Sequence, residues 1–172
     1  PIPFLSIPKI IDNQQNNWTT TVTIKYKNDF LKDIQKQINE LKNEILLFLN
    51  SIQKLVVIVD DIIILDVEKE NLSKKWTIFQ KREKLPNYLC DKENEEEYFD
   101  LKIALQDNLE NKIKELFSFF PTKIDINFPF IIHGTFELNS SRNELNESQK
   151  NRYILKQLVS LIVSTAKDIT KK

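Results

Sequence analysis

Phe128-Pro129-Phe130-Ile131-Ile132-His133-Gly134-Thr135-Phe136-Glu137-Leu138 runs directly into Asn139-Ser140-Ser141-Arg142-Asn143-Glu144-Leu145, and a helical pattern follows. The first stretch is aromatic and β-branched, the chemistry of a strand. The second is a polar turn. After it, Ile154, Leu158, Leu161, Ile162, Thr165 and Ile169 recur at threes and fours, which predicts an amphipathic helix over Tyr153 to Ile169. With Leu116-Phe117-Ser118-Phe119-Phe120-Pro121-Thr122 just upstream, two strands lead into the turn. The chain is expected to be α+β, a mixed or antiparallel sheet flanked by amphipathic helices.

Working upstream, Phe99, Leu101, Ile103 and Leu105 alternate and predict another strand, while Asn108 to Lys114 breaks the alternation. Leu55 to Val59 and Ile62 to Val67 are short β-branched runs joined by Asp60-Asp61, which reads as a turn and not as a catalytic acid pair. Lys74 to Gln80, with Trp76 and Ile78, repeats the strand chemistry, so a meander or hairpin set is expected. Arg82 to Glu97 lacks apolar periodicity and reads as a surface loop. From Phe30, the positions Leu31, Ile34, Ile38, Leu41, Ile45, Phe48 and Ile52 predict one long helix. Trp18 to Lys27 alternates like a strand, and the proline-containing start and the polar stretch Asp12 to Asn17 read as an arm and loop.

Composition narrows the function classes. Hydrophobic residues make up 41% of 172 residues, enough for one core that buries roughly 70% of the surface of the unfolded chain. The 25 basic and 25 acidic residues cancel, so no global field favours a nucleic acid or an anionic membrane. One cysteine, Cys90, and one histidine, His133, cannot assemble the familiar zinc frameworks, and an intracellular, cytoplasmic, metal-free chain is expected. No apolar run reaches the length of a membrane span. Gly134 is the single glycine, where average usage is about 7%, so a glycine-rich phosphate loop is excluded. Methionine is absent and proline comes first, the look of a piece of a longer protein.

Only three of the basic residues are arginine: Arg82, Arg142 and Arg152. Ser141-Arg142-Asn143-Glu144 has the form of a capping box, which predicts a helix start at Ser141. A helix N-terminus carries unpaired N–H groups, and an arginine beside it adds a fork-shaped donor, so the turn could clamp an anion; the plainer reading is a cap beside an exposed arginine. His133, in an apolar strand, reads as structural. Cys90 stands beside Asp91 in an acidic loop that repels a thiolate. Trp18 and Trp76 read as core or interface residues.

The stretch Leu138-Asn139-Ser140-Ser141-Arg142-Asn143-Glu144-Leu145-Asn146 resembles the catalytic loop in the middle domain of the ninety-kilodalton heat-shock chaperones, whose pattern is Leu-Asn-x-Ser-Arg-x-x-Leu-Gln. Phe119-Phe120-Pro121-Thr122, Phe128-Pro129-Phe130 and Gly134-Thr135-Phe136 resemble the matching stretch of sacsin-like and MORC-like ATPases. More weakly, Trp18 to Lys27 resembles the last strand of a Bergerat-fold ATPase domain, although Trp18-Thr19-Thr20 stands where that family has Gly-Thr. The resemblance implies that residues 1–27 are an arm and strand from the end of an N-terminal ATPase domain and that residues 28–172 are a middle or transducer domain with a ribosomal-protein-like second-domain fold. It implies that Arg142 reaches the ATP γ-phosphate, with Ser141 and Asn146 near the nucleotide; Asn146 stands where the chaperones carry glutamine. It further implies ATP and magnesium in the full-length protein, an N-terminal nucleotide-binding domain of the same protein as partner, a protein client, and a homodimer. The nucleotide-site motifs themselves are not in this sequence. The chain alone is therefore expected to bind no cofactor, to be inactive and to need no membrane. A non-enzymatic protein-interaction or nucleic-acid-binding domain is the alternative.

Overall fold

A computed structural model describes residues 20–25, 28–39, 43–91, 96–106 and 113–171. The chain divides into two compact units, residues 1–37 and 38–172. In the first, residues 20–25 form no strand, and Val22 and Ile24 are exposed. This corrects the expectation for Trp18 to Lys27: alternation makes a strand only where another backbone supplies hydrogen bonds, and these residues have no such partner among the described ones. Trp18 itself, the arm and the polar stretch before it lie outside the described residues. A 3₁₀ turn over Asn28–Phe30 leads into helix α1, Leu31–Asn39, which crosses the boundary between the units.

The long helix expected from Phe30 to Ile52 is not continuous. Helix α2 spans only Ile45–Phe48, Leu49 is extended, and residues 50–53 turn. The reason lies in Ile45-Leu46-Leu47-Phe48, all four of which are buried. A one-sided amphipathic helix cannot bury four consecutive side chains, so the chain plunges into the core and leaves it as extended backbone. Lys69 Nζ holds the exit by donating to the Leu49 carbonyl at 2.8 Å.

Strands β1 (Lys54–Val59) and β2 (Ile62–Glu68) form an antiparallel hairpin closed by Asp60 and Asp61, as expected. Both aspartates have left-handed backbone, φ 48° and 63°, the pair required by a two-residue turn whose twist matches its strands. An asparagine followed by a glycine suits those positions better than two aspartates. The double substitution Asp60→Asn with Asp61→Gly is therefore expected to raise stability by about 1 kcal/mol, measured as a higher urea midpoint at unchanged slope.

Lys74 to Gln80 does not extend this hairpin into a meander. A short helix, α3 (Lys69–Ser73), and a turn come first, and strand β3 (Thr77–Lys84) joins a different sheet. That sheet has five strands in the order β3-β4-β7-β5-β6, with β4 Tyr98–Leu105, β5 Glu115–Ser118, β6 Phe120–Asp125 and β7 Ile131–Gly134. All neighbours are antiparallel except β5 and β7, which are parallel. The fold is α+β with a mixed sheet.

The surface-loop reading of Arg82 to Glu97 needs correction in two places. Arg82, Glu83 and Lys84 pair with Asp100, Phe99 and Tyr98, and Leu85 and Leu89 are buried in the core. The charged run of β3 is the dress of an edge strand and hides the strand from a hydrophobicity pattern. Where the sequence suggested one strand over Leu116 to Thr122 there are two, because Phe119 adopts φ 61° and reverses the chain. Bulky aromatic residues seldom take that conformation, so no turn was legible. Pro121, which has no N–H to donate, is tolerated because β6 is an edge strand.

β4 organises the core through its period of two. Phe99, Leu101, Ile103 and Leu105 pack on one face against Ile154, Leu158 and Leu161 of helix α4, Gln149–Thr170. Ala104 joins Phe117, Ile131, Trp76 and all of α2 on the other face. Each large side chain so buried contributes about 1.5–3 kcal/mol, and helix material on both faces turns a single sheet into the middle of a three-layer core. No helix among the described residues is long and apolar enough to cross a membrane.

Candidate functional site

β7 delivers the chain to the Arg142 loop through a close approach. A Cβ on Gly134 would lie 2.4 Å from Phe136 Cε2 and 2.9 Å from Leu101 Cδ2, so only glycine lets Phe136 fold back into the core. Beyond Phe136 the backbone closes a small loop. Leu138 and Leu145 form an antiparallel bridge, Asn146 N donates to Glu137 O at 2.9 Å, and Asn139 N donates to Glu144 O at 3.1 Å.

Within the loop, the Asn139 side chain substitutes for backbone. Its Oδ1 accepts from Asn143 N at 3.0 Å and from Ser141 Oγ at 3.1 Å, and its carbonyl accepts from Arg142 N at 3.0 Å. Arg142 sits at the tip with φ 57°. The expected helix start at Ser141 is therefore corrected: Ser141 Oγ donates to Asn139 and caps nothing. A left-handed Arg142 cannot begin a helix. The cap is Ser148, whose Oγ accepts from Asn151 N at 3.0 Å, and the helix begins at Gln149.

Two anchors hold the loop to the domain. On one side Asn151, buried in the first turn of α4, matches its amide to the loop's base. Its Oδ1 accepts from Glu137 N at 2.9 Å, and its Nδ2 donates to Glu137 O and Asn146 O, each at 2.8 Å. On the other side Lys123 N of β6 donates to Arg142 O at 3.0 Å. Lys150 adds charge at the base, lying 2.7 Å from Glu97, 3.3 Å from Asp91 and 3.8 Å from Glu137. Burial disfavours its ammonium, but the Glu97 and Asp91 carboxylates more than offset this and hold its pKa above the ordinary lysine value.

The guanidinium of Arg142 is half-buried and rests on the β5–β6 turn. Nη2 donates to Ser118 O at 2.9 Å and to Phe120 O at 3.3 Å, whereas Nη1 and Nε have no acceptor among the described residues. Neutral carbonyls hold a cation less firmly than a carboxylate would, so an anion reaching this loop meets two free donor nitrogens on a pre-positioned arginine. Ser141 is exposed beside Arg142. Asn146 is exposed at the loop's base, where its backbone serves Glu137 and Asn151. Of the other arginines, Arg82 stacks its guanidinium 5.6 Å over the Tyr98 ring and Arg152 lies exposed on α4. No family model matches the chain. No curated protein and no solved structure matches it either.

His133 lies under the same turn. It is fully buried, stacked on Phe48 with ring centroids 5.0 Å apart, and edge-on to Phe119 at 5.2 Å. Its Nδ1 accepts from Phe119 N at 3.2 Å, so the proton of the neutral ring sits on Nε2, which has no partner among the described residues. Burial, with a smaller push from the Lys102 ammonium, lowers its pKa to about 3. An unfolded histidine titrates near 6.5, so below that pH the unfolded chain takes up a proton that the folded one refuses. Stability is expected to fall by about 1.4 kcal/mol per pH unit between about 6 and 3 through this residue alone. Urea midpoints measured at pH 7, 5.5 and 4.5 should show that slope, and His133→Phe should remove it.

Neither Asn151 nor His133 stood out in the sequence as part of a site. Asn139, by contrast, had a readable signal, because an asparagine at the start of a polar turn commonly bonds backbone two or more residues on. Cys90 is half-buried with Sγ 3.6 Å from Pro86 O, and Trp76 is buried in the core.

Proposed function

We propose that this chain is the middle, or transducer, part of a Bergerat-fold ATPase of the heat-shock, sacsin-like or MORC-like kind, and that Arg142 stabilises charge on the ATP γ-phosphate when the domains close. One observation carries most of the support: Arg142 stands at the tip of a loop tied at its base by Asn151 and at its tip by Lys123, with Nη1 and Nε unengaged. A pre-positioned donor of this kind stabilises a transition state without reorganising when the charge develops. Ser141 stands beside the arginine and Asn146 at the base of the same loop, and in this reading both lie near the nucleotide's approach.

Among the described residues no group of three or more His, Cys, Asp or Glu converges on a point that could hold a metal. In this reading magnesium comes with the nucleotide-binding domain, as the resemblance implies. Arg142 supplies the fixed positive charge that this chain brings to the phosphate. A homodimer, a protein client and a cytoplasmic setting are part of the same proposal.

The test is single-turnover ATP hydrolysis by the full-length parent carrying Arg142→Ala or Arg142→Lys, alongside ATP affinity in the open state. A fully active Arg142→Ala protein overturns the reading and leaves Arg142 as a latch on two carbonyls. In that event the alternative is a non-enzymatic protein-interaction domain, which one observation favours: Ile58, Ile62 and Ile63 stand exposed at the tip of the β1–β2 hairpin.

A further inference from the structure

The peptide unit that joins Ser118 to Phe119 is bonded at both ends. Its N–H, that of Phe119, donates to His133 Nδ1 at 3.2 Å, and its carbonyl, that of Ser118, accepts from Arg142 Nη2 at 2.9 Å. In a trans peptide the N–H and C=O point in opposite directions within one plane, so fixing one end fixes the other. Phe119 at φ 61° is an uncomfortable conformation for an aromatic residue. The hydrogen bond and edge contact from His133 help to hold it there, and without them the peptide loses the support on its N–H side. His133 cannot itself swing readily, because it is stacked flat on Phe48, which in turn packs on Phe117 at 5.1 Å.

We infer that His133 is a positioning residue: through the Ser118–Phe119 peptide it sets the orientation in which the turn presents its carbonyls to Arg142. The inference rests on the proposed role of Arg142 for its effect on catalysis, but not for its effect on the arginine's placement. It accounts for a feature that packing alone does not explain. A phenylalanine would fill this apolar site without burying an Nε2–H that has no partner among the described residues, yet the chain carries an imidazole whose only hydrogen bond among those residues is the one to the turn. The two bonds on one peptide also polarise each other, so the loss of either weakens the remaining one.

Two substitutions separate positioning from packing. His133→Phe keeps a flat ring for Phe48 and removes the acceptor, whereas His133→Asn places an oxygen where Nδ1 was and removes the ring. With only three arginines in the chain, the ¹⁵N guanidinium spectrum at low temperature is readable, and Arg142→Lys assigns the signal of interest. Hindered Nη2 rotation at Arg142 is expected in the wild-type chain, to be lost in His133→Phe although that variant stays well folded at pH 7, and to be largely kept in His133→Asn although that variant is less stable.

In the full-length parent, His133→Phe is expected to lower kcat about 3- to 10-fold with KM for ATP unchanged, because a long side chain must then be ordered at each turnover. An Arg142 signal unmoved by His133→Phe, or one that follows stability so that Asn disturbs it more than Phe, overturns the inference, as does a raised kcat. If the Arg142 signal responds as expected while Arg142→Ala remains fully active, the positioning stands and the ATPase reading falls.

Discussion

In the full-length parent, Arg142→Ala is expected to lower kcat by about 10²–10³-fold, the loss seen when one pre-positioned donor to a developing oxyanion is removed. Arginine donors in other phosphoryl-transfer systems reach about 10³–10⁵-fold. The lower figure fits a guanidinium that spends Nη2 on Ser118 O and Phe120 O and has only Nη1 and Nε left to offer in the proposed role. ATP affinity in the open state should hardly change, since in the proposed role the loop would reach the nucleotide only on closure. Binding and rate then separate, the signature of an interaction made in the transition state alone.

Arg142→Lys should recover part of the rate. An ammonium keeps the charge but cannot hold two carbonyls with one nitrogen while offering two others. Thermal midpoints guard against a trivial explanation. The two bonds lost in Arg142→Ala are partly solvent-accessible and should cost about 1 kcal/mol, too little to unfold the domain. Ser141→Ala should cost less still, because Ser141 caps no helix. Its hydroxyl only donates to Asn139, which Asn143 N also serves.

The largest stability effect is expected at Asn151. Asn151→Leu removes an amide that is 2% exposed and takes the acceptor from the part-buried Glu137 N–H. Glu137 O keeps its bond from Asn146 N, and Asn146 O keeps one from Ser148 N, so the two carbonyls are weakened and not orphaned. One part-buried donor left without its acceptor and two further neutral bonds lost together cost about 2–4 kcal/mol, a large share of the stability of an ordinary domain. Urea unfolding measures the loss, and amide exchange at Glu137 and Asn146 shows where it falls.

Asn151→Asp discriminates further. One carboxylate oxygen can still accept from Glu137 N, but the other faces two carbonyl oxygens at the positions Nδ2 served. At neutral pH this variant should be no more stable than Asn151→Leu. On acidification the protonated carboxyl becomes a donor again, so part of its stability relative to wild type should return. An Asn151→Asp protein as stable as wild type at pH 7 would show that the loop is not anchored by this amide.

The sequence by itself determined what local periodicity and turn chemistry can decide. The alternation of β4 needs no partner to be recognised, because Phe99, Leu101, Ile103 and Leu105 recur at every second position with Asp100 and Lys102 between them. The Asp60-Asp61 turn follows from two residues that tolerate left-handed backbone between β-branched runs. The repeat in α4 is long enough to outweigh single exceptions. The composition of the Arg142 loop marked the one segment where chemistry could reside.

Tertiary structure decided the rest, each time because a distant group overruled a local preference. Four consecutive apolar residues at the end of the expected long helix found a core that buries them on every side, and the helix stopped at Phe48. The charged run after Gln80 became a strand because β4 offered its edge. The capping-box pattern at Ser141 lost its helix because Asn139 captured the serine hydroxyl and the Asn143 N–H, while Ser148 capped α4 instead. The single histidine, an ordinary core residue in the sequence, acquired its part only when β7 set it beneath the Phe119 turn. A hydrogen bond between groups far apart in the chain leaves no trace in the spacing of either, so the link from His133 through one peptide to Arg142 exists only in three dimensions.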